Sequence, residues 1–251
     1  MMAIGIIKER CILLFDTLIA GESLMFDITQ EWSTSYPNAH AEILVMEQVE
    51  NPATHSELEV RKQALENDLR AHFAGQDPHA LEALAPIPAY SAYYKRFNKT
   101  YHVLGQLVSV VFKGKPIPSV ASLVEAMFMA ELKNRLLTAG HDLDQLRLPV
   151  ALNVARGDEH YTLLRGQDQV LKAGDMMMAD QAGIISSIVY GPDQRTQISA
   201  GTKNVLFAVY APEGIDPQTI EAHLQDIRDL VLVVSPSATV KLLQVFGAQP
   251  S

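Results

Sequence analysis

The chain has 251 residues, 48% of them hydrophobic, and a formal net charge of -9. It is long and apolar enough to bury a large core, as one big domain or as one domain with an appendage, which excludes the fibrous and disordered classes. The acidic charge argues against tight nonspecific nucleic-acid binding by the whole molecule, while a local basic patch remains an option. The one cysteine, Cys11, cannot form an internal disulfide and is predicted to be a buried thiol, which suits the cytosol.

The apolar run near the N-terminus, from Cys11 to Ile19, is interrupted by Asp16 and is too short to span a bilayer. It also lacks the layout of a signal peptide. We therefore predict a cytoplasmic protein that has no membrane partner.

The first part of the chain predicts strands followed by a helix. Three strand-like segments, CILLF, LMFDI and AEILVMEQV, are separated by turn signals. Helical periodicity then runs from Thr54 to Phe73, where Thr54 and Glu57 have the spacing of a capping box and the face opposite the apolar stripe is charged. We predict that residues 1–88 are N-terminal strands and a surface helix that are part of the core or packed on it.

The segment from Ala89 to Lys115 carries basic side chains and no acidic one, against the trend of the chain. Three of these basic residues are candidates for contacts with nucleic-acid phosphates, namely Lys95, Arg96 and Lys99. The alternative is that they belong to an ordinary solvated face. The aromatic residues have the i, i+3, i+4 spacing of a core-facing helical stripe, with stacking on exposed bases as the alternative. They are Tyr90, Tyr93, Tyr94, Phe97 and Tyr101.

The segment from Pro116 to Asp144 predicts a helix followed by a charged turn. Ser122 and Glu125 have the S-x-x-E spacing of a capping box, which predicts the start of the helix. Two adjoining apolar stripes indicate that the helix is largely buried, and Gly140 is its predicted C-terminal stop. His141 is therefore expected just past the end of the helix.

His141 is the candidate catalytic residue, because Asp142 and Asp144 follow it closely. A carboxylate beside a histidine orients the ring and favours its protonated form, the arrangement that a general acid or base needs. The alternative is that His141 interacts with the last carbonyls of the helix while an aspartate caps the next turn. No second histidine is placed to complete a metal site, so no metal is predicted.

After this helix the chain predicts short strands in close succession, PVALNVA, HYTLL, DQVL, GIISSIVY and NVLFAVYA. Close spacing without helices between them implies mostly antiparallel pairing. Asp216 and Pro217 start a last amphipathic helix, and a short tail is predicted after Pro236. The element order predicts the α+β class.

Polar groups near the strand GIISSIVY are further candidates for ligand contacts. Ser186 and Ser187 lie on the strand, and Arg195 lies on the following turn, where a guanidinium can bind a carboxylate or phosphate through two hydrogen bonds. An ion pair of Arg195 with Asp193 or Asp180 is the alternative. The sequence has no dinucleotide-binding, P-loop, zinc-protease or serine-hydrolase motif, so no cofactor is predicted.

Three segments, KGKPIPSVASLVEAMFMAELKNRLLTAGHDLD, GDMMMADQAGIISSIVYGPDQRT and TKNVLFAVYAPEG, resemble the B3/B4 domain of the phenylalanyl-tRNA synthetase β chain and its free-standing relatives. The resemblance extends over residues 90–234 and implies a mostly antiparallel β-sandwich with packed helices, with residues 89–251 as the B3/B4-like domain. In the synthetase this domain is the editing site, where tyrosine wrongly attached to the phenylalanine tRNA is hydrolysed. A separate editing site is needed because an apolar pocket cannot strongly exclude an amino acid that differs from the correct one only by an added hydroxyl group.

Alignment without gaps carries the family's site onto this sequence residue by residue. The editing histidine falls on Ala139, two residues before His141, and the Thr-Asn pair of the helix falls on Met127 and Phe128. The glutamate that recognises the tyrosine hydroxyl falls on Ala208, and the Ala-Gly pair of the later strand falls within the range from Ser186 to Val189. The resemblance therefore implies a substrate pocket that lacks the groups reading tyrosine, and its candidate residues are Met127, Phe128, Ser186, Ser187, Arg195 and Ala208.

The leading hypothesis is a free-standing B3/B4-like module that binds or hydrolyses the aminoacyl end of a tRNA. In the hydrolytic version, water attacks the ester, the pocket positions the substrate, and His141 is the catalytic residue. The alternative is a non-catalytic module that binds an amino-acid-like small ligand or a protein partner, which the apolar residues of the pocket favour. Without the catalytic synthetase domains the chain is not a complete tRNA ligase, and its oligomeric state is not predicted.

Overall fold

The structure is a computed structural model that describes residues 25–247. Its strands are β1 (Phe26–Ile28), β2 (His40–Glu47), β3 (Thr138–Asp142), β4 (Val150–Val154), β5 (His160–Thr162), β6 (Asp168–Val170), β7 (Met176–Asp180), β8 (Gly183–Ser187), β9 (Gly191–Pro192), β10 (Asn204–Ala211) and β11 (Thr239–Gly247). Its α-helices are α1 (Gln30–Ser35), α2 (Ser56–His72), α3 (Ile87–Lys95), α4 (His102–Val111), α5 (Ser122–Asn134) and α6 (Pro217–Val234). Cys11 and the predicted strand CILLF lie outside the described residues.

Two sheets carry the fold, one in the order β1-β4-β7-β8-β9 and the other in the order β11-β2-β10-β3, and β5 and β6 form a separate hairpin. Paired strands are antiparallel except β1 and β4, which are parallel. The hydroxyls of Ser186 on β8 and Tyr210 on β10 are hydrogen-bonded and join the two sheets. The predicted α+β fold, a mostly antiparallel sandwich with packed helices, is confirmed. Within residues 25–247, no helix has the length and apolar character needed to cross a membrane.

Strand β10 lies at the centre of the four-stranded sheet. It pairs along its whole length with β2, and its residues 205–209 pair with β3 on the other edge. Strand β2, from the N-terminal part of the chain, lies between β10 and β11, and its side chains join the same hydrophobic core as those of β10. The division of the chain at residue 88 stays a prediction.

The aromatic residues of the basic segment lie in the core, as their spacing predicts. Their hydroxyls are satisfied there, since Tyr90 donates to the carbonyl of Tyr210 at 2.7 Å and Tyr94 donates to the carbonyl of Ile188 at 2.6 Å. These bonds avoid the cost of an unpartnered buried hydroxyl and connect helix α3 to both sheets. Base stacking is contradicted because all five rings are buried, namely Tyr90, Tyr93, Tyr94, Phe97 and Tyr101.

Helix α2 differs from its prediction at its start and on its polar face. No side chain caps its first turn, so the predicted capping box of Thr54 and Glu57 is wrong. The face predicted to be solvated carries a buried lysine, Lys62. Its Nζ lies 2.9 Å from Glu125 Oε2, and the two side chains are 5% and 2% exposed. This ion pair connects α2 to α5.

Helix α5 begins at Ser122, as predicted, but its cap comes from a distant part of the chain. The Ser122 hydroxyl donates to the carbonyl of Pro52 at 3.0 Å, and the backbone N–H of Leu123 donates to Asn51 Oδ1 at 2.9 Å. The predicted capping box of Ser122 and Glu125 is therefore wrong, because Ser122 makes no capping bond within its own helix.

Helix α5 ends at Asn134, before the predicted stop at Gly140, because Arg135 takes the left-handed conformation with a φ of 60°. The chain then forms β3, in which His141 pairs with Leu206 of β10. The charged turn predicted at His141 is therefore wrong, since this residue lies inside a hydrogen-bonded strand.

Besides β3, the sequence prediction lacks β7, β11 and the two-residue strand β9, whose residues were predicted as a turn. Strand β7 lies between β4 and β8 in the five-stranded sheet. Strand β11 pairs with β2 from Thr239 opposite Glu47 to Gly247 opposite His40. The tail predicted after Pro236 is therefore wrong, because this segment completes an edge of the four-stranded sheet.

Candidate functional site

A cavity of about 370 Å³ lies between helix α5 and strand β3, and we call it the α5–β3 cavity. Most of its walls are apolar, as is typical of small-molecule sites. Its floor is made of buried residues, namely Glu131, Leu137, Thr138 and Gly140. Its mouth is made of exposed residues, among them His102, Val120, Leu164 and Gln197.

One face of helix α5 lines this cavity. Met127 and Phe128 are half-buried and lie four and three residues before Glu131, so the three side chains share a face. Strand β3 opposes them with Gly140, where an added Cβ would lie 3.4 Å from Met127 Sδ and 2.8 Å from Ile198 Cδ1. The missing side chain at Gly140 therefore keeps the space between helix and strand open.

Glu131 is the acidic residue of the cavity floor and is 2% exposed. The backbone N–H of Thr138 donates to its Oε1 at 2.8 Å, and its Oε2 has no hydrogen-bond partner among residues 25–247. Burial raises the pKa of Glu131 to about 8, against a smaller lowering by the Thr138 hydrogen bond. The carboxyl group is therefore protonated at pH 7 and has one oxygen free.

A second cavity of about 450 Å³ lies between α4 and α5, and we call it the α4–α5 cavity. It shares His102 and Phe128 with the first cavity. Gly105 and Lys115 also line it. The two cavities are therefore adjacent, and an experiment that assigns a ligand has to distinguish between them.

His141 does not line the α5–β3 cavity. Gly140 faces helix α5, and neighbouring residues of a strand point to opposite faces, so His141 points between the two sheets, where it is 0% exposed. The Thr196 hydroxyl donates to Asp193, which leaves its oxygen to accept from His141 Nδ1 at 2.7 Å. Burial lowers the pKa of His141 to about 3, so the ring is neutral at pH 7. Its catalytic role stays a prediction.

Ser186, Ser187 and Ala208 are buried and do not line the cavity either. The Ser186 hydroxyl is bonded to that of Tyr210, and the Ser187 hydroxyl accepts from the backbone N–H of Tyr190 at 3.1 Å. These contacts connect parts of the core, and ligand binding by the three residues stays a prediction.

Arg195 makes two hydrogen bonds within the protein. Its Nη2 donates to Asp180 Oδ1 at 2.8 Å, and its Nη1 donates to the carbonyl of Gln145 at 2.9 Å. This arrangement matches the ion-pair alternative weighed for Arg195 from the sequence. A ligand contact of Arg195 stays a prediction, and any ligand would compete with Asp180.

The cations predicted to contact nucleic acid are all exposed. Lys99 Nζ lies 5.3 Å from the ring centroid of Tyr190, the residue before Gly191 in the cavity wall. Arg96 packs on the core aromatics, with its Cζ 5.4 Å from the ring centroid of Tyr93. Nucleic-acid binding stays a prediction for all three residues, Lys95, Arg96 and Lys99.

All four floor residues are missing from the sequence-predicted site, namely Glu131, Leu137, Thr138 and Gly140. A signal for Glu131 is present in the sequence, because it follows Met127 and Phe128 at helical i+4 and i+3 spacing. Thr138 and Gly140 have no comparable signal, since their position depends on the pairing of β3 with β10.

We expect the free energy of unfolding to fall as the pH rises from about 6.5 to about 8. Above 6.5 the buried His141 and His223, whose pKa values are lowered to about 3 and about 4, no longer add stability with rising pH. Burial raises the pKa of Glu131 and Glu42 from 4.5 to about 8. Between these values the folded state keeps protons that the unfolded state has released, so each group lowers the stability by about 1.4 kcal/mol per pH unit. Urea unfolding across this range should show a smaller slope in Glu131→Gln and in Glu42→Gln. A slope unchanged in both variants would contradict the raised pKa values.

Comparison with known proteins gives one family match. A family model described as B3/4 domain matches residues 89–232, which include α5 and β3 and hence the α5–β3 cavity. The phenylalanine–tRNA ligase beta subunit of Fusobacterium nucleatum is 38% identical over 78 residues, which are 30% of this chain and 10% of that protein.

A solved structure is also similar to this chain. An N-terminal fragment of the phenylalanyl-tRNA synthetase beta subunit from Pyrococcus horikoshii superposes with a TM-score of 0.46 at 10% identity, over 89% of this chain and 54% of that chain. The matches span 54% of the length of this fragment and 10% of the length of the ligase subunit.

Proposed function

Because the chain belongs to the B3/4 domain family, we propose that it binds the aminoacyl end of a tRNA in the α5–β3 cavity. The observation that carries this proposal is an apolar cavity of about 370 Å³, with one carboxyl group on its floor, inside the part of the chain that the family model matches. Met127 and Phe128, which the resemblance assigns to the substrate pocket, line this cavity. We propose a tRNA as the ligand because the similar protein is a subunit of a phenylalanine–tRNA ligase.

In this proposal the phosphates of the tRNA end lie outside the cavity, against exposed cations. Lys99 is beside the cavity wall at Tyr190, and Arg165 follows the mouth residue Leu164. Because the net charge of the chain is -9, contacts with RNA have to be local ones. Lys95 and Arg96 belong to the same proposed contact surface.

Hydrolysis of the bound ester is the finer part of the proposal. The cavity would hold the ester in position for attack by water, which can contribute much of the rate enhancement. His141 is the residue predicted for this step. Since it lies behind the cavity floor on β3, we propose that it positions this strand, and the same assay tests its predicted catalytic role.

A non-catalytic module that binds an amino-acid-like ligand or a protein partner is the second candidate. The side chains around the α5–β3 cavity favour it, because they include no serine or cysteine among the described residues. The one hydroxyl on the floor, that of Thr138, is bonded to His223 Nε2 at 2.7 Å. No activated nucleophile is therefore present on the floor.

The test is a panel of labelled aminoacyl-tRNAs, correctly charged and mischarged, assayed for retention on the protein and for hydrolysis. The proposal predicts that the protein retains or hydrolyses at least one charged species more than the uncharged tRNA. Retention without hydrolysis would favour the binding module, and hydrolysis that is unchanged in His141→Ala would contradict a catalytic role of this residue. Absence of both retention and hydrolysis across the panel would contradict the proposed function.

A further inference from the structure

The floor of the α5–β3 cavity has a carboxyl group that the protein uses only in part. Oε1 of Glu131 accepts the hydrogen bond from the Thr138 backbone, which fixes the start of β3 against α5. Oε2 is not needed for this contact and has no hydrogen-bond partner among residues 25–247. A glutamine could make the same bond to Thr138 through its amide oxygen. Oε2 is not one of the fully enclosed unpartnered side-chain atoms of residues 25–247, so it is in contact with the cavity, where water or a ligand can reach it.

The charges around the cavity limit the chemistry of its ligand. Within the described residues, no lysine or arginine lines it, so a ligand carboxylate or phosphate on the floor would find no counter-ion, only the neutral carboxyl group of Glu131. A ligand ammonium group would find an acceptor in Oε2. Among the other polar side chains, the Thr138 hydroxyl on the floor is bonded to His223, and His102 and Gln197 are at the exposed mouth. By losing its proton, Glu131 can form an ion pair with a cation on the floor, whereas an anion finds cations only outside the mouth, at Lys99 and Arg165.

This polarity separates two forms of an amino acid. A free amino acid carries an ammonium and a carboxylate close together, so placing its ammonium on the floor also buries its carboxylate without a counter-ion. In an aminoacyl ester the carboxyl group is neutral, and the negative charge is on phosphates farther along the nucleotide chain. The ester can therefore place its ammonium on the floor while its phosphates stay near Lys99 and Arg165.

We propose that Glu131 is a specificity-determining residue of the cavity, whose free oxygen accepts a hydrogen bond from the α-ammonium group of an aminoacyl ester, so that esterified aminoacyl groups are selected over free amino acids. This inference rests on the proposed function and names the substrate class of the same site. Because Glu131 is protonated at pH 7, binding of the ammonium releases this proton to solvent and leaves an ion pair on the cavity floor.

The experiment measures equilibrium binding of hydrolysis-resistant probes, 3′-aminoacylamino-3′-deoxyadenosines that carry phenylalanine, leucine or alanine. For each probe, the N-acetylated form and the free amino acid with adenosine are measured beside it. We expect the wild-type protein to bind at least one free-amine probe at least tenfold more tightly than its N-acetylated form, and not to bind the free amino acid measurably.

Two variants separate the role of Glu131 from its packing. Glu131→Gln keeps the shape of the side chain and its bond to Thr138, but it directs an amide N–H₂ group at the ligand amine. We therefore expect this variant to bind the free-amine probe at least tenfold more weakly than the wild type. It should also lose the preference for the free-amine probe over the N-acetylated form. Glu42→Gln is the matched control, because Glu42 is also buried with a pKa raised to about 8 but lies on β2 away from the cavity. It should bind all probes as the wild type does.

The outcomes distinguish this inference from the proposed function. Equal binding of the free-amine and N-acetylated probes, or wild-type affinity in Glu131→Gln, would overturn the role of Glu131 and leave binding of an aminoacyl end intact. Absence of binding for every probe, together with absence of aminoacyl-tRNA retention, would overturn both.

Discussion

Valine in place of Gly140 is expected to weaken ligand binding about 100-fold, with alanine at the same position giving an intermediate loss. The Cβ of either residue would project toward α5, 2.8 Å from Ile198 Cδ1 and 3.4 Å from Met127 Sδ. Because Ile198 and Gly140 both line the cavity, displacement of the Ile198 side chain and the two added methyl groups of valine reduce the space that is open to a ligand. Overpacking of this kind typically costs about 1–3 kcal/mol. The measurement is the Kd of the free-amine adenosine probe for both variants.

Gly105→Val is the control for the Gly140 variants. Gly105 lines the neighbouring α4–α5 cavity, and a Cβ there meets nothing within 4 Å. It lies in a helix, where valine is tolerated at least as well as glycine. The probe should bind this variant as it binds the wild type. Loss of binding in Gly105→Val with normal binding in Gly140→Val would move the ligand site to the α4–α5 cavity.

Lys62→Met is expected to lower the free energy of unfolding by about 3–5 kcal/mol, the typical cost of leaving one partner of a buried ion pair alone. Lys62 Nζ is 2.9 Å from Glu125 Oε2 and 2.9 Å from Ser119 Oγ. Glu125 is 2% exposed, so its carboxylate would remain buried without its counter-ion. Equilibrium urea unfolding measures the change. Because Glu125 belongs to the helix that carries Met127, Phe128 and Glu131, the variant should also bind the probe less tightly.

The neighbouring Arg61→Met provides the contrast for Lys62. Arg61 pairs with Glu57 at 3.1 Å, but the side chains are 49% and 54% exposed, so solvent screens this pair. We expect a change below about 1 kcal/mol. The double variant Lys62→Met with Glu125→Leu should recover much of the stability lost in Lys62→Met, because no charge is then left unpaired. A loss in Lys62→Met as small as that in Arg61→Met would contradict a structural role of the buried pair.

The parts of the fold that follow from local pattern agree with the sequence prediction. Strand β10 is a continuous run of hydrophobic residues after Asn204, and it lies buried between two other strands. Helix α6 begins at Pro217 after Asp216, whose side chain accepts from the backbone N–H of Gln218, as the residue types indicate. In both elements the signal is contained in a few consecutive residues.

The elements that were predicted wrongly depend on partners distant in the chain. Gly140 resembles a helix stop, but β3 exists because β10 offers it a free edge. Strand β7 is rich in methionine, which lacks the β-branched shape that indicates a strand. Strand β11 has a strand-like pattern, yet only its pairing with β2 distinguishes it from a tail. A local pattern carries no information about these pairings.

Within the candidate site, only the residues on helix α5 could be predicted from the sequence. The family alignment selects Met127 and Phe128, and both line the α5–β3 cavity. Glu131 shares their helix face, so helical spacing alone could have indicated it. His141 was selected because of the charged residues beside it, and its burial depends on the contact between the two sheets. Which face of β3 borders the cavity depends on how β3 packs against α5, and the sequence of either element does not predict this packing.

The most direct test is the crystal structure of the full chain with 3′-L-phenylalanylamino-3′-deoxyadenosine at saturating concentration. The proposals above predict the aminoacyl group in the α5–β3 cavity, with its amine nitrogen about 3 Å from Glu131 Oε2 and the adenosine at the mouth near Gln197. A ligand bound in the α4–α5 cavity or elsewhere, or an α5–β3 cavity without ligand under saturation, would contradict the assignment of this cavity as the site of the aminoacyl end.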